Sequence, residues 1–386
     1  MRPIFHGKPI ASIASLAAAL GLNATTLQDF SARAQSQYTR FEIPKKNGGT
    51  RTICSPTHDL KVIQKRINRA IFSNVEFPPF LFGGIEGKDY VKNAQAHAGA
   101  KTIITLDVTD FYPSISKKRV AEIFKYFCHF PDPVSHLLAE LVTLDEVVPQ
   151  GACTSSYIAN LVLFETEHRL VEEFRQRKLT YSRLLDDICI SSQRNIAPKE
   201  VQEIISRTAS LLKSKGFRIK NRKTRVSSAS NPETLMEVTG LWLNRGHPRV
   251  FRAEREKIRT QLHRCEENFK ISRTAPEYHQ EHDRLSGLVA KLTYLNHFEA
   301  TNFRNRLSAK LPHYNRADTY KTEKIVESLE RVNMGDRGKI SYIEKFNQVT
   351  HRINILARSN AKLATNLRDR LRKHAPTKTK EDLIYG

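Results

Sequence analysis

Tyr181-Ser182-Arg183-Leu184-Leu185-Asp186-Asp187-Ile188-Cys189-Ile190-Ser191 sets two adjacent carboxylates between apolar flanks that lack helical spacing. The pattern predicts a β-hairpin with the acidic pair at its turn and apolar or half-buried strands on either side. Two carboxylates held together repel, so they call for a cation, and hard divalent metals prefer oxygen ligands. Taken alone, the stretch reads more readily as a solvated Asp-Asp turn, because Asp is a common turn residue.

A second acidic stretch lies upstream, Ile103-Ile104-Thr105-Leu106-Asp107-Val108-Thr109-Asp110-Phe111-Tyr112-Pro113-Ser114-Ile115. Again an apolar strand runs into an Asp. If the two are neighbours in one antiparallel sheet, Asp107 faces Asp186 and Asp187. Three carboxylates would then hold two Mg²⁺ ions roughly 3.5–4 Å apart, the arrangement used for in-line nucleotidyl transfer. Asp110 reads as a cap of the following turn rather than a fourth ligand.

At 386 residues, with 39% apolar and 27% charged residues, the chain fits two or three subdomains of an ordinary globular protein. The net charge of +23 is not ordinary. It implies a polyanionic partner, most simply nucleic acid, although ribosomal and membrane-surface proteins are also basic. Five scattered cysteines without a CxxC pair suggest neither a zinc site nor a disulfide framework, and point to a reducing cytoplasm. The apolar segment at residues 10–20 is too short to span a bilayer, so no membrane association is expected. It reads as an amphipathic helix with Ser12 as its cap.

Along the chain, residues 1–40 read as helices. A hairpin follows around Lys45-Lys46-Asn47-Gly48-Gly49, with Arg51 on its return strand. Leu60, Ile63, Ile67 and Ile71 mark a core-facing helix. Helices are expected over residues 117–146, 160–174 and 198–215, the last capped at Gly216. From residue 249 the chain turns helical and basic, with Arg252, Arg255, Lys257, Arg259 and Arg264. Past residue 317 Lys/Arg-rich helices continue, carrying Ile343, Phe346, Val349, Ile353, Leu356, Leu363 and Leu367 to pack on a neighbour. His97 has no second His or Cys at ligand spacing and reads as structural or RNA-contacting.

The order of these motifs resembles a reverse transcriptase, and more narrowly the bacterial retron enzymes. The resemblance covers residues 40–265. Phe41-Glu42-Ile43-Pro44-Lys45-Lys46, Gly48-Gly49 and Arg51-Thr52-Ile53 are similar to the opening fingers motif. Asp107 through Ile115, and Pro149-Gln150-Gly151-Ala152-Cys153-Thr154-Ser155, are similar to two palm motifs. Asn93-Ala94-Gln95-Ala96-His97 matches the retron NAxxH pattern, and Val238-Thr239-Gly240 the VTG triplet. One departure is plain: the family carries Tyr-x-Asp-Asp at the acidic turn, and Leu184 stands here in place of the Tyr.

The resemblance implies an α+β right-hand polymerase with fingers, palm and thumb and a helical C-terminal extension. Its parts would be N-terminal helices and fingers (residues 1–100), palm (101–115 and 153–245), further fingers (116–152), helical thumb (246–316) and basic extension (317–386). It implies Asp107, Asp186 and Asp187 as catalytic, with Val108 beside them at the Mg²⁺ ions. Lys45, Arg51, Tyr112, Gln150 and Lys223 would bind the nucleotide, Tyr112 by excluding a 2′-hydroxyl. Asn93, His97, Arg252, Arg255 and Arg259 would contact RNA. The implied partners are dNTPs, a cognate structured non-coding RNA with its DNA product, and a separate effector protein in anti-phage defence. The rival expectations are another bacterial reverse transcriptase with a different primer, and an RNA-binding scaffold of this fold with impaired catalysis.

Overall fold

The computed structural model describes residues 1–45, 48–231 and 234–385. Lys46, in the basic turn, lies outside the described residues. The chain divides into two compact units, Met1–Pro248 and Arg249–Gly386.

The first unit opens with β1 (Ile4–Phe5), α1 (Ile13–Ala19) and α2 (Ala24–Arg33). Ser12 and Asn23 cap the two helices by accepting from the Ser15 and Thr26 amides. β2 (Tyr38–Pro44) and β3 (Thr50–Pro56) form the basic hairpin, in register from Tyr38 opposite Pro56 to Pro44 opposite Thr50. In α3 (His58–Ala70) Leu60, Ile63, Gln64 and Ile67 turn inward, and the buried Gln64 amide donates to Tyr38 Oη and the Leu141 carbonyl. β4 (Val75–Glu76) pairs back to β1, so the N-terminal region is not wholly helical. α4 (Tyr90–Gln95) leads into β5 (Thr102–Asp107), buried on both faces.

Residues 117–146 are largely helical, in two main pieces. α5 (Lys117–Glu122) runs into a π-helical segment, and α6 (Asp132–Val142) starts beyond Pro131, which cannot continue a helix. The single helix expected over residues 160–174 is likewise two, α7 (Ser155–Leu161) and α8 (Glu167–Gln176). The break has a tertiary cause: the Ala159 and Asn160 carbonyls at the end of α7 accept from a buried arginine, Arg183. β6 (Leu179–Leu184), β7 (Asp187–Ser192), α9 (Pro198–Ser214), β8 (Arg225–Ser228) and the short antiparallel pair β9 (Glu237–Val238) and β10 (Leu241–Trp242) complete the unit.

The central sheet has the order β6-β7-β5-β8 with all neighbours antiparallel. Ile104, Leu106, Ile188 and Ile190 join one core with Leu60, Ile67, Phe124, Leu138, Phe174 and Phe217. With both faces covered the register is strongly specified, because a slip of one residue would exchange the faces of every side chain.

The second unit is helical: α10 (Arg252–Ser272), α11 (Pro276–Tyr294), α12 (Ala300–Ser308), α13 (Arg316–Glu330), α14 (Ile340–Leu356), α15 (Ala361–Arg372) and α16 (Lys380–Tyr385). Val349, Ile353, Leu356 and Leu367 close a small core with Val326, Leu329 and Leu371. Among the described residues no helix is long and apolar enough to cross a membrane. Because Ile104 is fully buried in the central strand, Ile104→Ala should lower unfolding free energy by about 2–5 kcal/mol, read from the urea midpoint. An unchanged midpoint would contradict this packing.

Candidate active site

β6 and β7 are joined by a two-residue turn, Leu185-Asp186, closed by Leu184 opposite Asp187. Such turns need a positive φ, and Leu185 supplies it at 59°. β7 also pairs with β5, and the last pair of that ladder is Asp107 opposite Asp187. Directly opposed residues share a sheet face with Cβ atoms about 4.5–5.5 Å apart. The Val108 amide donates to the Asp186 carbonyl at 3.0 Å, which ties the turn to the end of β5. Three carboxylates from two separate stretches therefore meet at one end of the sheet.

Their electrostatics follow from that crowding. Loss of water, then the charges of Asp186 and Asp107, push the Asp187 carboxyl up to about 6. Asp186 is also raised, first by burial and then by Asp107, while Lys223 and Arg51 pull it down. Lys223 Nζ sits 2.5 Å from Asp107 Oδ2 and supplies one balancing charge. The Lys220 amide holds the Asp107 carbonyl at 2.8 Å and so fixes the 3₁₀ turn that carries Lys223.

Among the described residues no group of three or more His, Cys, Asp or Glu side chains is placed to hold a metal ion by itself. Mg²⁺ is normally held by one or two carboxylates together with substrate phosphates, so an open, oxygen-only cluster short of positive charge fits such an ion. The chemistry of the donors, not a preformed cage, makes that fit.

Arg51 extends from the exposed return strand of the basic hairpin, opposite Ile43, and its charge reaches both Asp186 and Tyr112. Tyr112 is half-buried, its hydroxyl pushed up to about 12 by burial and by Asp186. Phe111 beside it is the core aromatic, packed 5.4 Å from Phe217. Gln150 joins the same neighbourhood through its backbone, its carbonyl accepting from the Cys54 amide at 2.8 Å. Gly151 makes that approach possible: a Cβ there would lie 2.9 Å from the Cys54 carbonyl oxygen. Lys45 is exposed at the hairpin turn, its amide donating to the Gly49 carbonyl.

Two expected RNA contacts are internal. Asn93 and His97 are 0% and 1% exposed. His97 bridges the acidic hairpin, Nε2 to Ser182 Oγ at 2.6 Å and Nδ1 to Ser191 Oγ at 2.7 Å. Inside the fold it offers no atom to RNA, and it holds β6 to β7. In the second unit Arg252 pairs with Glu256, and Arg259 pairs through two hydrogen bonds with Glu299. The Arg255 Nε has no hydrogen-bond partner among the described residues.

Sequence reasoning missed Arg183, Glu167 and Tyr181. Arg183 and Glu167 form a buried ion pair behind the turn, and Tyr181 Oη donates to the same Glu167 at 2.8 Å. The available signal was an arginine in an otherwise apolar strand, two residues from a tyrosine and hence on its face.

Residues 43–259 match the family described as Reverse transcriptase (RNA-dependent DNA polymerase). The chain is 36% identical over 373 residues to the Retron Se72 reverse transcriptase of Salmonella heidelberg (strain 579083-10), covering 96% of this chain and 98% of that one. It is 32% identical to the Retron Ec48 reverse transcriptase of Escherichia coli, over 92% of this chain and 89% of the relative. The Retron Mx65 reverse transcriptase of Myxococcus xanthus is 28% identical over 75% of this chain and 70% of its own.

Burial pushes His97 down to about 4, so the unfolded chain binds a proton that the folded one refuses as pH falls below the ordinary histidine value. The stability held above that value is then lost progressively towards pH 4. Between pH 7 and pH 5 the wild type should lose about 2 kcal/mol more than His97→Gln in urea titrations. Equal losses would refute the buried neutral imidazole.

Proposed function

The chain belongs to the reverse transcriptase family, in the company of the retron enzymes, and we propose that it copies a cognate structured non-coding RNA from a 2′-hydroxyl primer within that RNA. The product is branched RNA–DNA. The chain is an RNA-directed DNA polymerase, and the observation that carries the proposed site is the ladder ending on Asp107 opposite Asp187 with Asp186 in the adjoining turn.

In this reading residues 101–115 and 153–245 are the palm, 1–100 and 116–152 the N-terminal helices and fingers, 246–316 the thumb, and 317–386 a basic extension. Asp107, Asp186 and Asp187, with the backbone at Val108, hold Mg²⁺. When bound there, the ions supply a more acidic 3′-hydroxyl and charge neutralisation at the leaving pyrophosphate. Arg51 presents paired donors to the triphosphate, and Lys45 adds a mobile point charge. Gln150 orients the nucleotide, and the Tyr112 ring lies against its sugar, leaving no room for a 2′-hydroxyl. Lys223 pairs with Asp107 and stands ready for phosphate. Arg252 and Arg259 face RNA by exchanging their carboxylate partners for phosphates, and Arg255 adds a third guanidinium. The net charge of +23 supports a polyanionic partner. The complex works in the cytoplasm, where five free cysteines stay reduced, and serves anti-phage defence with a separate effector protein.

Purified from cells, the protein should carry short DNA joined to RNA, detected by gel after separate RNase and DNase digestion. Asp186→Asn should carry none; if that variant carries the same DNA, the site is misassigned. Tyr112→Ala should admit ribonucleotides, raising the ratio of rNTP to dNTP incorporation by about 10²-fold or more. A ratio equal to that of wild type would remove the gating role.

A further inference from the structure

Arg183 is fully buried, and its guanidinium has five N–H donors. All five are used. Nε and Nη2 hold the two oxygens of Glu167 at 2.5 and 2.8 Å. Nη2 also donates to the Asn160 carbonyl at 3.0 Å, and Nη1 to the Ala159 carbonyl at 3.0 Å. The remaining donor of Nη1 goes to the Leu185 carbonyl at 3.2 Å. Four bonds anchor the guanidinium to the α7–α8 region, and the fifth grips the turn residue immediately before Asp186.

Leu185 needs such a grip. A branched side chain at a φ of 59° is unfavourable and persists only where its surroundings over-determine it. Its other side is closed by Gly83, where an added Cβ would lie 2.4 Å from Leu185 Cγ. The Gly83 carbonyl is held by Asn160 Nδ2 at 2.6 Å. Asn160 thus links the guanidinium on one side of Leu185 to the glycine on the other.

The attraction within the ion pair is by itself a weak reason for the arrangement. Desolvating a carboxylate and a guanidinium offsets much of their attraction, and apolar replacements of buried pairs are often neutral or better. We infer that Arg183 is a positioning residue for DNA synthesis: with Glu167 as its anchor, it locks the Leu185 backbone so that the Asp186 and Asp187 carboxylates are preset for divalent metal. This inference rests on the metal-holding role proposed above for the three aspartates.

Two variants test it. In Tyr181→Phe/Glu167→Leu/Arg183→Met the pair and its hydroxyl partner are exchanged together for apolar groups. In Arg183→Lys the charge facing Glu167 stays, and the forked donors that reach the Leu185 carbonyl are lost. Each is measured three ways: by urea midpoint, by Mn²⁺ binding to the protein alone followed by electron paramagnetic resonance, and by kcat and KM for dTTP on a homopolymer RNA template with a DNA primer. Both variants should keep a cooperative unfolding transition, and Mn²⁺ affinity should fall about tenfold. kcat should fall about 10²-fold with little change in KM, because a misplaced ligand harms the reacting geometry more than nucleotide binding. Either variant, folded and with wild-type Mn²⁺ affinity and kcat, overturns the inference; if the triple variant does not fold, Arg183→Lys decides alone. Asp186→Asn run alongside separates the two claims: synthesis surviving in that variant defeats the metal-site reading itself, whatever the Arg183 variants do.

Discussion

Asp107 and Asp187 stand opposite one another at the end of a β-ladder, and like charges so placed repel. Nothing local favours the arrangement; it is imposed by the apolar pairs behind it. Ile104 opposite Ile190 and Leu106 opposite Ile188 are buried on a sheet covered on both faces. Moving the carboxylates apart would mean shifting register and exposing those side chains, at about 1.5–3 kcal/mol for each large apolar group. Hydrophobic burial therefore holds the acidic groups together, and the cluster stays short of positive charge, with Lys223 the one cation in direct contact among the described residues.

The hairpin carrying two of the three carboxylates is braced on both of its faces. Tyr181 and Arg183 project to one side and meet Glu167; Ser182 and Ser191 project to the other and meet His97. Alternation along the strands makes this possible, since residues two apart share a face and neighbours do not. Both braces sit in the interior, where an unmade hydrogen bond is costly and a made one is strong. The segment carrying the NAxxH pattern thus supports the acidic hairpin from within. Its helix is reached in turn by the VTG triplet, through Thr239 Oγ1 donating to the Tyr90 carbonyl at 2.9 Å.

The positive charge that stands out in the sequence is less free in the folded chain than its total suggests. In the second unit Arg259, Arg264, Arg306 and Arg370 each sit on a glutamate. Exposed pairs of this kind contribute little stability, and salt or phosphate can compete for them. The net field still favours a polyanion, but these four arginines already have carboxylate partners within the folded unit.

Periodicity, turn residues and caps made the acidic hairpin, the strand ending at Asp107, the basic hairpin and the helices at residues 58–70 and 198–214 legible, because each depends on near neighbours in sequence. What was not legible came from distant partners. The break between α7 and α8 depends on Arg183, which takes carbonyls the helix would otherwise carry onward. The burial of Asn93 and His97 depends on a sheet formed far along the chain. The residue types at 107, 186 and 187 determined which chemistry this protein has available. Only the tertiary structure decided their register, their shared shortage of positive charge and the arginine that grips the turn, because those follow from burial and hydrogen bonding between segments remote in sequence.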